Sequence, residues 1–354
     1  MKKKVLFLIY TEYQLILSLN EITKIEYSSF EITFLIKRNH DTGRLVQDLD
    51  LSLLNVVYFF WDHKISFSTP ANTIVKESIN NLLNANYNRV CYFQEQDPLV
   101  VILSSYYNNK KAEVWLFQDG LKPYNKMKSP SLGQMKGDIK QNRWIKKSGF
   151  KVFDYFSFFK CHKYGFLKGT QKLFLTFPES YDNWNNKIIE KIELKKSDEL
   201  IEKLKLVFKW DGELFTQKKN VIFFVSQSMR DDNTFEQMLL DYLLVKYSNS
   251  HFYLKSHPTN FPLYRKFIEN LKTSQYSNRI TILDTKMPAE LFIMQLEDSI
   301  IISTISTSMF LDNPNCRFYY THEMSKPYIP RFKRYDTINP TPHTKTVYSF
   351  EEII

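Results

Sequence analysis

Short apolar runs rich in β-branched and aromatic residues recur along the chain, each followed by a longer stretch in which polar positions interrupt the apolar ones. VLFLIY at 5–10, EITFLIK at 31–37, NVVYFFW at 55–61, RVCYF at 89–93 and AEVWLFQ at 112–118 predict five strands. Segments of helical length with a polar face lie between them, at about 12–24, 42–50, 71–85 and 97–107. The scheme starts again at residue 220: strands at 220–227, 251–256, 279–284 and 299–304 alternate with helices at 234–247, 262–273, 287–296 and 307–311, and RFYYT at 317–321 adds a further strand. Such alternation predicts parallel sheets flanked by helices, an α/β fold built twice over. The middle, 171–219, holds the strand-like KLFLTF and a Lys/Glu-rich helical stretch, and reads as a linker. With the boundary near Tyr181, the domains expected are 1–180 and 181–354.

Composition agrees with this outline. A chain of 354 residues is long enough for two domains of about 150 to 200 residues, and 43% hydrophobic content argues against disorder. Three widely spaced cysteines, Cys91, Cys161 and Cys316, suggest neither a disulfide framework nor a cysteine zinc site, and point to a reducing compartment. The opening MKKK imitates a signal peptide, but the apolar run behind it meets Thr11 and Glu12 too soon. No stretch approaches the roughly 20 apolar residues of a membrane span, so the expectation is a cytoplasmic protein, soluble or peripheral at the inner face of the membrane. With eight glycines and neither G-x-G-x-x-G nor a Walker loop, a nicotinamide dehydrogenase and a P-loop kinase both recede. The seven histidines form no pair with metal-ligand spacing, and DLD at 48–50 is too short a pattern to weigh, so no metal is expected.

Charge sharpens the picture locally. The net charge of +10 equals the excess in 121–170, where twelve Lys or Arg stand against Asp138 and Asp154. Within it, FKVFDYFSFFKCHKYGFLKG interleaves aromatics with lysines, a pattern suited to an anionic membrane surface or an acidic glycan, and also compatible with nucleic acid. A solvated basic loop over a Phe-rich core is the plain structural alternative. Lys122, Lys126, Lys146 and Lys147 are the candidates for an acceptor-facing or membrane-facing surface.

Ligands of open parallel sheets bind beyond the carboxyl ends of the strands. Behind the predicted strands stand Gln118–Asp119–Gly120, Ser226–Gln227–Ser228, Ser256–His257–Pro258 and the run STISTS. An Asp backed by Gly sits on a tight turn from which its carboxylate can take a proton from a hydroxyl. Ser306, Thr307 and Ser308 open a helix and offer hydroxyls and backbone N–H groups to a phosphate. His257 can donate a proton or hydrogen bond to a departing phosphate oxygen. Singly, each also fits a turn, an N-cap or a surface histidine. Together, at equivalent places in two βα domains, they compose a transfer site.

This set, an acidic residue before Gly, then His-Pro, then a Ser/Thr pair, resembles that of the bacterial sialyltransferases, and FFVSQSMRDD…FYLKSHPTN is similar to the second domain of the polysialyltransferases and their lipooligosaccharide-sialylating relatives. The resemblance implies a GT-B architecture, two Rossmann-like domains facing each other across a cleft, the N-terminal one binding acceptor and the C-terminal one the CMP-sugar. It also implies an inverting transfer of sialic acid from CMP-sialic acid, with no cofactor and no metal. Asp119 would be the base, and His257, with Pro258 beside it, would assist departure of CMP. Two of Ser306, Thr307 and Ser308 would bind its phosphate, Glu290 would hold the ribose, and Gln227 and Ser228 would lie near the donor. Relatives usually carry two acidic residues before the Gly, whereas the first here is Gln118; Asp119 is the carboxylate available.

The acceptor implied is a terminal galactose of a lipooligosaccharide or capsule, or a growing polysialic chain, anionic or lipid-linked. A transferase for Kdo or another CMP-activated nonulosonic acid would need nearly the same donor groups. A non-catalytic binder of anionic glycan or nucleic acid is the alternative of another class, and it has no use for a base in one domain and a phosphate site in the other.

Overall fold

A computed structural model describes residues 2–39, 50–51, 54–61, 70–124, 126–127, 132–152, 163–194, 197–210, 215, 217–227, 233–257, 262–283, 287–329, 335–336 and 339–354. The chain divides into two compact units, Met1–Asp211 and Gly212–Ile354.

The first unit contains strands β1 (Lys3–Ile9), β2 (Phe30–Asn39), β3 (Val56–Trp61), β4 (Arg89–Tyr92), β5 (Glu113–Phe117), β7 (Lys172–Leu175) and β8 (Ile188–Lys191), with a separate two-residue strand β6 (Lys126–Met127). Its helices are α1 (Glu12–Glu21), α2 (Thr73–Asn84), α3 (Pro98–Asn109), α4 (Leu132–Lys147) and α5 (Asp198–Phe208). The sheet order is β3-β2-β1-β4-β5-β7-β8, every pairing parallel. Covered on both faces, β1 reads as a continuous apolar run, and Val5 to Ile9 are at most 1% exposed. Local chemistry sets the helix starts: the side chains of Thr11, Asn72, Asp97 and Ser197 each accept a backbone N–H of the first turn, and Pro98 follows its cap at a position where no N–H is needed.

The second unit contains β9 (Val221–Val225), β10 (His251–Lys255), β11 (Ile280–Leu283), β12 (Ser299–Ser303), β13 (Cys316–Tyr320), a two-residue β14 (Tyr335–Asp336) outside the sheet, and β15 (Thr344–Thr346). Helices α6 (Thr234–Lys246), α7 (Pro262–Lys272), α8 (Ala289–Ile293) and α9 (His322–Ser325) connect them. The order is β11-β10-β9-β12-β13-β15, again all parallel. Alternate residues of β9 face opposite ways: Ile222 and Phe224 pack with Leu239 and Leu243 of α6 and with Phe267 of α7, while Phe223 meets Phe215 and Phe292. Each such side chain contributes about 1.5–3 kcal/mol by leaving water.

Both sheets reverse direction once, at β1/β4 and at β9/β12, which is the doubly wound order 3-2-1-4-5-6. The first unit continues to Asp211 rather than ending at residue 180. The physical reason lies in the segment read as a linker. KLFL forms β7 against β5, β8 extends the sheet, and α5 buries Leu200, Leu204, Val207 and Phe208 while packing on α1. Its Lys/Glu face is simply the solvated side of an amphipathic helix. The apolar pattern predicts neither helix α4 nor strands β8 and β15. The helix expected at 42–50 lies outside the described residues except at its last position.

Candidate active site

In the second unit one row of Cα partners runs Ser303, Val225, Lys255, Leu283 across four adjacent strands. The residues just beyond that row therefore share one edge, with neighbouring strands about 4.8 Å apart. Ser226–Gln227, Ser256–His257 and Thr304 to Ser308 all lie there. Cross-links hold the edge: Ser303 Oγ donates to the Val225 carbonyl at 3.1 Å, the Ser226 N–H to the Lys255 carbonyl at 3.1 Å, and Ser256 Oγ to the Leu283 carbonyl at 3.3 Å. His257 is half-buried, and its backbone N–H donates to the Tyr264 hydroxyl at 2.9 Å.

Ser306 caps the short 3-10 helix Thr307–Phe310: its Oγ accepts the Ser308 N–H at 3.3 Å and lies 2.8 Å from Ser308 Oγ. The Tyr320 hydroxyl pins the Ser306 carbonyl at 2.7 Å. Glu290 is buried in the first turn of α8. Ser228 and Pro258 lie outside the described residues.

A carboxylate with no place in the sequence reading organises the β9 turn. Glu236, on α6 and 1% exposed, accepts from Ser226 Oγ and from the Gln227 N–H, each at 2.7 Å. Burial pushes its pKa up to about 7, against the two hydrogen bonds, which favour the charged form. Nothing in a helical Glu distinguishes it in sequence from a surface residue.

In the first unit the pairing of Phe7, Cys91 and Trp115 on β1, β4 and β5 brings the ends of these strands to one edge. Four residues further on stand Thr11, Glu95 and Asp119. Gln118 turns inward and has no exposed surface. Its Oε1 accepts from the Tyr124 hydroxyl at 2.5 Å and from the Thr176 N–H at 2.8 Å, and its Nε2 donates to the Tyr13 hydroxyl at 3.3 Å. Gly120, at φ +61°, makes the turn that leaves Asp119 at the strand end. Asp119 Oδ1 accepts from Gln14 Nε2 at 2.9 Å, and Oδ2 pairs with Lys122 Nζ. Lys146 and Lys147 are exposed in the last turn of α4, and the side chain of Lys126 lies outside the described residues.

Glu95 is the second carboxylate of this edge, buried, accepting from the Gly165 N–H at 2.6 Å and the Leu167 N–H at 3.0 Å. Burial raises its pKa to about 7. It shares an electrostatic neighbourhood with Tyr164, whose hydroxyl donates to the Phe117 carbonyl at 2.5 Å and whose pKa burial, Glu95 and Asp119 all push upward. Glu95 had a sequence signal, since it follows the run RVCYF as Asp119 follows AEVWLF.

A family model described as Alpha-2,8-polysialyltransferase (POLYST) matches residues 1–314. The chain belongs to the alpha-2,8-polysialyltransferase family. A search of curated proteins finds no match.

Among solved structures the chain is similar to the sialyltransferase from Photobacterium damsela, with 12% identity, a TM-score of 0.56, and coverage of 98% of this chain and 82% of that one. A second structure, described as the GT-B domain of the Photobacterium damselae sialyltransferase, gives 12% identity and a TM-score of 0.52 over 90% of this chain and 91% of the other. A 2,6-sialyltransferase from a Photobacterium species, in complex with CMP and lactose, gives 11% identity and a TM-score of 0.50, covering 90% and 71%.

The fold is thus that of GT-B sialyltransferases, and the family makes this polysialyltransferase-family chain a glycosyltransferase that transfers sialic acid. Among the described residues no group of His, Cys, Asp and Glu is arranged to hold a metal ion, and no helix is long and apolar enough to cross a membrane.

Proposed function

We propose that the chain transfers sialic acid from CMP-sialic acid to a hydroxyl of a glycan acceptor with inversion, the first unit holding the acceptor and the second the donor. One observation carries the reading: a chain of this family places the carboxylate of Asp119 at the end of β5, with Oδ1 fixed by a fully buried glutamine. The acceptor oxygen attacks the anomeric carbon while its proton passes to Asp119. The bond from that carbon to the phosphate oxygen breaks, and its electron pair leaves with CMP. His257 meets the charge that develops on the phosphate, and hydroxyls among Ser306, Thr307 and Ser308 bind it. Gln227, Ser228, Pro258 and Glu290 border the donor, with Glu290 suited to ribose hydroxyls. Membership of the alpha-2,8-polysialyltransferase family supports a growing sialic acid chain rather than a terminal galactose as acceptor. The basic surface that includes Lys146 and Lys147 suits an anionic acceptor, or the anionic membrane surface on which a lipid-linked one is presented.

The test follows CMP released from CMP-sialic acid, with and without lactose-ended and oligosialic acceptors, in the presence and absence of chelator. Acceptor-dependent release supports the reading. A folded protein that neither binds CMP nor consumes the donor refutes it.

A further inference from the structure

The two oxygens of Asp119 are held in different ways. Oδ1 accepts from Gln14 Nε2 at 2.9 Å, and Gln14 has no exposed surface. The Gln14 Oε1 in turn accepts the Tyr10 N–H at 2.8 Å, so the amide is fastened at both ends and its N–H groups are committed to face Asp119. Oδ2 instead pairs with Lys122, three residues along, whose side chain is 56% exposed against 13% for Asp119. A buried amide bound at both ends stays where it is, whereas an exposed lysine moves at little cost. The oxygen that can meet a substrate hydroxyl is therefore Oδ2, and Lys122 covers it.

We propose that Lys122 recognises a carboxylate on the acceptor, and that its transfer to this carboxylate uncovers Asp119 Oδ2 for the proton of the attacking hydroxyl. The inference rests on Asp119 being the base. The ammonium keeps its proton throughout and exchanges one carboxylate partner for another, so the move conserves charge and needs no co-reactant. A neutral sugar offers only hydroxyls in exchange and leaves the Asp119–Lys122 pair intact. The acceptor class that fits is thus a glycan whose terminal sugar carries a carboxylate close to the hydroxyl attacked. This makes Lys122 a specificity-determining residue, distinct from the diffuse attraction of the basic surface.

The experiment compares kcat/KM for a sialic acid-ended acceptor with that for its carboxamide, in which the charge is removed and the hydroxyls remain. Wild type, Lys122→Met, Lys122→Arg and Asp119→Asn are measured. Wild type favours the carboxylate about ten- to hundredfold, as a charge-assisted hydrogen bond allows. Lys122→Met brings the ratio close to one, chiefly through KM for the charged acceptor, and Lys122→Arg retains most of the preference. A Lys122→Met protein that keeps the wild-type ratio, or that loses both acceptors equally, overturns the proposal, as does a wild type indifferent to the carboxamide. Asp119→Asn separates the two readings: full activity there removes the base assignment, whatever ratio Lys122→Met shows.

Discussion

Gln118 and Asp119 are chain neighbours with opposite surroundings. The first joins Tyr13, Tyr124 and Thr176 inside the unit, and the second sits at the strand end with Gln14 and Lys122. Asp119→Asn keeps an acceptor for Gln14, so it should fold with an unchanged melting temperature and lose about 10²–10⁴-fold in kcat, measured as CMP release. His257→Ala should lower transfer in the same assay.

The two buried glutamates behave differently from each other. Both have their pKa raised from 4.5 to about 7 by burial, so the folded chain holds these protons more tightly than the unfolded one. Their contribution to stability is full below pH 4.5 and is lost as pH rises through 7. Glu236→Gln imitates the protonated form, accepting the Gln227 N–H with its oxygen and donating to Ser226 Oγ with its nitrogen. It should flatten the fall in melting temperature between pH 5 and 8 without lowering stability at pH 8. Glu95→Gln turns an amide nitrogen toward one of two backbone N–H groups, and should cost about 1–3 kcal/mol, read from denaturant unfolding.

Element boundaries show where backbone geometry outweighs composition. Helix α5 ends on Lys209 in the left-handed region, φ +50°, where glycine carries no Cβ penalty. Lys209→Gly should therefore stabilise the protein by up to about 1 kcal/mol, measured as a rise in melting temperature. Gly165 is the reverse case. At φ +78° it gives its N–H to Glu95, and a Cβ there would stand 2.8 Å from Asn185 Nδ2 and 3.2 Å from Leu173. Gly165→Ala should destabilise by about 1–3 kcal/mol and loosen the grip of Glu95 on its loop. Helix α4 carries Lys136, Lys140, Arg143 and Lys147 at spacings of four, three and four, which places these exposed cations in one stripe along the helix, while Trp144 and Ile145 anchor it. Reversing Lys140, Arg143 and Lys147 to Glu should make the KM of an anionic acceptor less dependent on salt, measured across a NaCl series.

At the scale of the whole molecule, each unit buries its own sheet, and the first needs residues beyond 180 to do so. A fragment 1–211 should fold with a cooperative melt, whereas 1–180 lacks β8 and α5 and leaves the α1 surface uncovered. An equally cooperative 1–180 would show that β8 and α5 are dispensable for the first sheet.

Strand and helix identity was legible in the sequence because burial on both faces of a parallel sheet demands unbroken apolar runs, and the polar faces of the helices between them set the second period. The strand ends followed from that order, which is why Asp119, His257 and the Ser306–Ser308 run could be named from the sequence as candidates, as a set rather than singly. Tertiary structure decided the rest. Gln118 and Asp119 are adjacent polar residues at the end of one strand, and only the fold shows that the first is enclosed among Tyr13, Tyr124 and Thr176 while the turn at Gly120 leaves the second at the strand end. Glu236 and Gln14 read as ordinary helical polar residues until packing removes their water and leaves the Ser226–Gln227 turn and the Asp119 carboxylate as their partners. The Lys/Glu-rich segment after residue 180 looked like a linker because a local pattern records which face of a helix is polar, not what the other face will meet.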